Sequence, residues 1–279
     1  RSIADERDVE RVAAFNGAIH DQGVADMTRE LILRHPHTRP EHWLYVEDEG
    51  TRQIVSSVCL IPWRWRYEDV ELRAGEMGIV GTSEDYRRRG LIRAQVEYFK
   101  RRLSERGCLL SQIQGIPYYY RQFGYEYALP LEGGLRLETR HVPTPPDTSF
   151  SFRLATPQDV PMLMQYYDDA SRDLAIHTTR GEAIWQYLLT YSKGTETEQE
   201  TWIVQRAEKV VGYLRVPQHH FGKELVVSEV SRMGHKAVMA SLHHLKTLTI
   251  ERNKPGIRLN LPANCTLMRV ARTLDAYDM

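Results

Sequence analysis

Apolar positions along this chain repeat with two periods. Between residues 90 and 105, Ile92, Val96, Phe99 and Leu103 fall at i, i+4, i+7 and i+11, which is the apolar stripe of an amphipathic helix. Helical spacing also covers residues 7–18 and 27–33. Between them and the 90–105 helix, residues 43–81 alternate apolar and polar, with Trp43-Leu44-Tyr45-Val46 and Ile54–Leu60 either side of a charged turn at 47–52, the pattern of hairpin strands. A strand ending near Ala4, a strand at 108–112, a short helix at 117–122 and further strand complete the segment. The order βααβββαβα predicts an α+β layered domain with a mixed, mostly antiparallel sheet, not a doubly wound one.

The pattern occurs twice. Ile3-Ala4-Asp5-Glu6-Arg7-Asp8-Val9 matches Leu154-Ala155-Thr156-Pro157-Gln158-Asp159-Val160, each a strand running into a capped helix, with Thr156 as N-cap and Pro157 at the first helical position. Trp202-Ile203-Val204 and Val210–Val216 repeat the earlier hairpin around a turn at 206–209, and Leu274-Asp275-Ala276-Tyr277 loosely repeats Phe123-Gly124-Tyr125. The chain is therefore expected to hold two copies of one unit about 150 residues long. Residues 1–140 form the first, 151–279 the second, and the proline-rich run His141–Asp147 opens a linker at 141–150.

Composition narrows the function classes. Lys plus Arg and Asp plus Glu both total 37, so no net charge points to a nucleic-acid or membrane surface. No apolar run approaches the roughly 18 residues of a membrane span. Cys59, Cys108 and Cys265 are isolated, which fits a reducing, cytoplasmic setting. His219-His220 and His243-His244 lack the i, i+4 spacing of two ligands on one helix face, so they are expected to be surface or packing residues and no metal is expected.

The chemistry-bearing stretch is Arg87-Arg88-Arg89-Gly90-Leu91-Ile92-Arg93-Ala94, between a strand and a helix. Unpaired N–H groups at a helix start make an anion site, and arginine adds charge that does not titrate. A solvated arginine face is the alternative. The position favours a phosphate-bearing, nucleotide-type cofactor.

These residues resemble the GNAT superfamily of N-acetyltransferases, whose motif is Gln/Arg-x-x-Gly-x-Gly/Ala after the fourth strand. Arg87, Gly90 and Ile92 hold the three positions, and Ile92 departs from the pattern. The arrangement Arg-Arg-Arg-Gly-Leu-x-Arg-Ala is closer to the enhanced-intracellular-survival type, which tolerates an apolar residue there and carries two tandem acetyltransferase-like domains. Pro117-Tyr118-Tyr119-Tyr120-Arg121-Gln122-Phe123-Gly124-Tyr125 resembles the family's Tyr-x-x-Phe-Gly-Phe/Tyr ending. The branch often continues into a sterol-carrier-like domain whose terminal carboxylate enters the active site. This chain stops at Met279, which reads as inside the second copy, before its last strands.

The resemblance implies transfer of an acetyl group from acetyl-CoA, with no metal, to a primary amine on a small molecule or a lysine. Pantetheine would lie along the strand bearing Gly75, Gly78 and Gly81, where glycines would admit it, and pair with backbone near Val80 and Thr82. The pyrophosphate would meet the N–H groups of Arg88, Arg89, Gly90, Leu91 and Ile92, with Arg87 beside them. Tyr120 takes the family's general-acid position, with Tyr119 the alternative; a phenol of pKa about 10 can exchange a proton with a thiol of about 8.5. Glu76 is the acidic candidate for base, directly or through water, or else a strand-edge contact. Trp63 and Trp65 share one strand face, as core or as wall of the acceptor pocket.

The second copy reads Val230-Ser231-Arg232-Met233-Gly234-His235-Lys236 where the first has its phosphate loop, and Ala271 or Arg272 where the first has Tyr120. It is expected to be degenerate, shaping the first copy's pocket or mediating assembly into a homo-oligomer. A non-catalytic acyl-CoA-binding sensor is the competing function.

Overall fold

The computed structural model describes residues 1–129, 133–144 and 147–279. In chain order the elements are α1 (Glu6–Ile19), α2 (Gln22–Leu33), β1 (Trp43–Glu47), β2 (Ile54–Tyr67), β3 (Val70–Thr82), α3 (Leu91–Glu105) and β4 (Leu110–Gln112). There follow β5 (Leu135–Leu137), β6 (Phe150–Leu154), α4 (Val160–Ser171), β7 (Ile176–Thr178), α5 (Glu182–Thr190), β8 (Gln199–Arg206) and β9 (Lys209–Pro217). The last are β10 (Leu225–Val227), β11 (Glu229–Val230), α6 (His235–Glu251), β12 (Ile257–Leu259), α7 (Thr266–Arg272) and β13 (Tyr277–Asp278). The mixed α+β architecture is the one the periodicity predicts. No described helix is long and apolar enough to cross a membrane.

Two compact units emerge. The first takes Arg1–Leu129 together with Leu174–Tyr187 and Gly194–Glu196, and the second takes the rest of the described chain. This division departs from the one drawn on the sequence. Residues 133–142 fall in the second unit, where β5 lies between β12 and β13, antiparallel to both. Val142, inside the run read as linker, is buried among that unit's apolar side chains, and its carbonyl accepts from Lys246 Nζ at 2.8 Å. Pro145 and Pro146 of that run lie outside the described residues. Conversely, β7 adds to the first unit by pairing with the far end of β2, Trp65 opposite Thr178.

Within the first unit, side-chain caps set the helix starts. The Asp5 carboxylate accepts from Asp8 N at 2.9 Å, and that of Asp21 from Val24 N at 3.0 Å. The second cap starts α2 at Gln22, five residues before the apolar pattern becomes visible. The expected first strand is reduced to a single bridge, Ser2 to Leu44. β1, β2 and β3 form an antiparallel meander, and β4 runs parallel to β3. α3 covers one face with Val96, Phe99 and Leu103, which bury against Val58, Leu60 and Met77.

The β2–β3 ladder slips once: Ser57 faces Gly81 but Cys59 faces Gly78, so Val58 stands opposite both Ile79 and Val80. This is a β-bulge with its extra residue on β3, and Ile79 sits at φ 46, rare for a β-branched side chain. The bulge reverses the side-chain alternation. Before it, Gly75 lies under Leu103 of α3; after it, Gly81 lies under Ile19 of α1.

The second unit repeats the order on two sheets. β6, β8, β9 and β11 pair antiparallel, and β12, after α6, runs parallel to β10. Here the strand equivalent to β3 is split at Ser228: β10 pairs with β12, β11 with β9.

Candidate active site

The arginine turn has the geometry of an anion cradle. Arg88 (φ 63) and Gly90 (φ 77) are both left-handed, and Gly90 N-caps α3. A Cβ on Gly90 would meet nothing within 4 Å, so backbone conformation, not crowding, selects glycine there. The first bond of the helix is Ala94 N to Gly90 O at 3.0 Å, and among the described residues the N–H groups of 88–93 have no acceptor. Consecutive free donors at a helix start fit a pyrophosphate. The guanidiniums divide. Arg87 pairs with Glu84 at 3.3 Å, while Arg89 bonds Asp85 O at 2.8 Å and lies over the Tyr86 ring at 4.6 Å. Arg88 makes no ion pair among the described residues, which leaves it the freest of the three to meet an anion.

β3 offers an open edge leading to that turn. β4 accompanies it only from Ala74 to Glu76, and among the described residues no strand flanks that edge from Met77 to Thr82. Val80 and Thr82 therefore carry backbone groups free to pair with an extended amide chain. The Thr82 hydroxyl itself is engaged by Ser56 at 2.9 Å. The three glycines serve a different purpose from the one expected. A Cβ at Gly75 would come within 2.3 Å of Leu103 Cδ2, at Gly78 within 3.1 Å of Cys59 Sγ, and at Gly81 within 3.0 Å of Ile19 Cγ2. They let the helices and β2 side chains approach the sheet; the bulge and the short β4 open the edge.

Tyr120 lies in a 3-10 turn, Tyr119–Phe123, with its ring packed in the apolar layer beneath α3. Among the described residues its hydroxyl has no partner, and it is not among the sealed polar atoms, so it reaches solvent. Burial, with smaller contributions from Tyr119 and Tyr125, pushes its pKa up to about 12. Tyr119 is far more exposed and stacks edge-on against Tyr120 at 5.0 Å. Tyr125 bonds Ser111 Oγ at 2.6 Å, which in turn bonds Gly75 O at 2.9 Å, tying the turn to β3 and β4.

Glu76 projects from the sheet face opposite to Tyr120, since it alternates with Gly75 and Met77. On β2, Trp63 pairs with Ala74 and so lies diagonally from Glu76 on the same face. Trp63 Nε1 donates to Glu76 Oε2 at 2.6 Å, and Gln112 Nε2 on β4 donates to the same oxygen at 3.2 Å. Burial raises the Glu76 pKa, opposed by these two donors. The structure thus joins Trp63 to Glu76 directly. Trp65 follows on the same face beside β7, its Nε1 buried with no partner among the described residues. His35 touches Trp63 edge-on at 6.2 Å.

Two residues of this site escaped the sequence. Gly115 lies against the Tyr120 ring so closely that a Cβ there would be 2.3 Å from Cδ2 and 2.5 Å from Cε2. Gln112 donates to Glu76. A glycine in a short coil and a glutamine on a three-residue strand carry no periodic signal, although Gln112 sits at the strand position predicted for 108–112.

The second unit's counterparts hold no such chemistry. Gly234 caps α6 at φ −71, in extended backbone. Arg232 is taken up by Asp173 at 2.6 Å, and Ser231 and Met233 crowd Gly212. Ala271 is fully buried in the core, and Arg272 pairs with Asp278 at 2.9 Å. His244 stacks on Phe152 at 4.1 Å as a packing residue.

Comparison with known proteins agrees with the geometry. The model of the acetyltransferase (GNAT) domain matches residues 5–128. No curated protein matches the chain by sequence. Among solved structures, a probable N-acyltransferase from Enterococcus faecalis superposes with a TM-score of 0.73 at 16% identity, covering 100% of this chain and 69% of that one. A GCN5-related N-acetyltransferase from Anabaena variabilis gives 0.71 at 15% identity, covering 100% and 70%. Eis1 from Mycobacterium abscessus gives 0.59 at 16% identity, covering 93% and 65%. The bulged, one-sided β3 and the arginine turn both lie within residues 5–128, the stretch that matches the acetyltransferase (GNAT) domain model.

Proposed function

We propose that the chain moves an acetyl group from acetyl-CoA to a primary amine by direct attack, using the first unit alone for chemistry. The observation that carries the reading is the row of unpartnered N–H groups at residues 88–93 continuing from the open edge of β3. The pyrophosphate would rest on the former beside Arg88, and pantetheine would pair with the latter at Val80 and Thr82. In the reaction, Glu76 takes a proton from the ammonium, directly or through water. The amine nitrogen then bonds the thioester carbonyl carbon, the C–S bond breaks, the Tyr120 hydroxyl gives its proton to the departing thiolate, and the second proton lost by the nitrogen as it becomes an amide restores the Tyr120 phenol through solvent. The raised Glu76 pKa makes it a better base toward an amine. The raised Tyr120 pKa keeps the phenol protonated until the thiolate forms, and the same desolvation raises the thiol, so exchange stays within reach.

The acceptor is a small-molecule or lysine amine, bounded on one side by Trp63 and Trp65. The degenerate second unit supplies structure or assembly. Acetyl-CoA should raise the thermal midpoint of the wild type, and Gly90→Asp, which sets a carboxylate where phosphate must approach, should abolish the shift. Thiol release from acetyl-CoA with a panel of amines should fall roughly 100-fold or more in Tyr120→Phe, with acetyl-CoA affinity kept. Binding of acetyl-CoA without release for any amine would leave the acyl-CoA sensor as the function, and full turnover in Tyr120→Phe with loss in Tyr119→Phe would move the acid one residue back.

A further inference from the structure

Glu76 is held in an asymmetric way. Both donors, the Trp63 indole from β2 and the Gln112 amide from β4, point at Oε2. Oε1 has no partner among the described residues and is not sealed from solvent. The carboxylate is therefore clamped between two strands by one oxygen while the other stays open. Strand register creates this. Glu76 pairs with Gln112 on β4 at the last rung of the parallel ladder, and it lies diagonal to Trp63 across β2. Beyond that rung β3 has its open edge, so Glu76 is the last β3 residue before the edge along which the proposed pantetheine would lie.

We propose that Trp63 and Gln112 are positioning residues, whose N–H groups fix Glu76 Oε2 and leave Oε1 as the oxygen presented to the acceptor amine. This rests on Glu76 being the base, and it gives Trp63 a more specific task than forming a pocket wall. The groups around the carboxylate are few. Cys59 on β2 is a buried thiol whose pKa Glu76 helps to raise, His35 packs on Trp63, and among the described residues no lysine or arginine pairs with Glu76. Two donors at one oxygen thus carry the stabilisation of the anion, and a charge-assisted hydrogen bond is about twice as strong as a neutral one. Removing either should lift the Glu76 midpoint by roughly one pH unit.

The test follows Glu76 itself, without relying on turnover. The protonated-carboxyl C=O stretch is tracked by infrared difference titration of the full chain and identified by its absence in Glu76→Gln. In parallel the Trp63 indole N–H resonance should move with the same midpoint. Trp63→Phe keeps an aromatic ring and loses the donor; Gln112→Leu does the same from the other strand. Retention of the acetyl-CoA thermal shift reports that each variant is folded. Both variants should raise the Glu76 midpoint by about one unit. With an amine that turns over, both should move the acid limb of kcat/KM upward by the same amount, with activity recovered at higher pH. Unchanged midpoints in both variants overturn the positioning role and leave the base assignment standing. A shifted midpoint together with wild-type activity in Glu76→Gln overturns the base assignment, and the positioning role with it.

Discussion

The tightest constraint on Tyr120 is a residue with no side chain. A methyl group placed on Gly115 would sit 2.3 Å from Tyr120 Cδ2, 2.5 Å from Cε2 and 3.4 Å from Cγ. Carbon atoms pack at about 3.5–4.0 Å, so the ring must retreat by roughly 1–1.5 Å. It is a rigid plane packed within a buried apolar cluster that includes Met77, Val96 and Phe123. Gly115→Ala should therefore cost about 1–3 kcal/mol through overpacking and lower the Tm by several degrees. The hydroxyl moves with the ring, and a misplacement of about 1 Å is enough for a roughly 100-fold loss of rate. Steady-state thiol release should show kcat reduced by about that factor with the KM for acetyl-CoA little changed, since the arginine turn is untouched. The loss should not add to that of Tyr120→Phe, because both changes remove the same proton donor. A wild-type kcat in Gly115→Ala would refute the placement of Tyr120 as the acid.

Two further outcomes follow from the structure. His35 and His42 are buried, accept backbone N–H groups through Nδ1, and have pKa values lowered to about 4, mainly by burial. The unfolded chain protonates them near 6.5, so stability should be pH-independent in their regard above about 6.5, fall as pH drops below it, and level off below about 4, by about 3 kcal/mol per ring. Denaturant melts from pH 8 to pH 4 should show that fall, and His42→Asn, whose Oδ1 keeps an acceptor near the Nδ1 position, should reduce it; an unchanged slope would contradict the burial-driven shift. Titration calorimetry with acetyl-CoA should find one site per chain, because Arg232 is ion-paired and Ala271 is buried where the second unit would need its phosphate and acid groups; two equivalent sites would contradict this.

Local chemistry made much of this protein readable from its sequence. The α3 stripe, the hairpin alternation and the glycine before a helix are each written within a few neighbouring residues, because helix periodicity, strand alternation and positive φ are local properties. The repeat was legible for the same reason. What only the tertiary structure decided depends on residues distant in sequence. The bulge at Ile79–Val80, the early end of β4 and the exchange that places β5 in one unit and β7 in the other are matters of register and pairing, which a three-residue strand does not encode in its own pattern. The meaning of Gly75, Gly78 and Gly81 also waited on the fold, since only packing reveals that Leu103, Cys59 and Ile19 occupy the space. So did the company kept by Glu76. Its residue type and strand made it a candidate, but Trp63 and Gln112 come from two other strands, and the free oxygen exists only because three strands align at that rung.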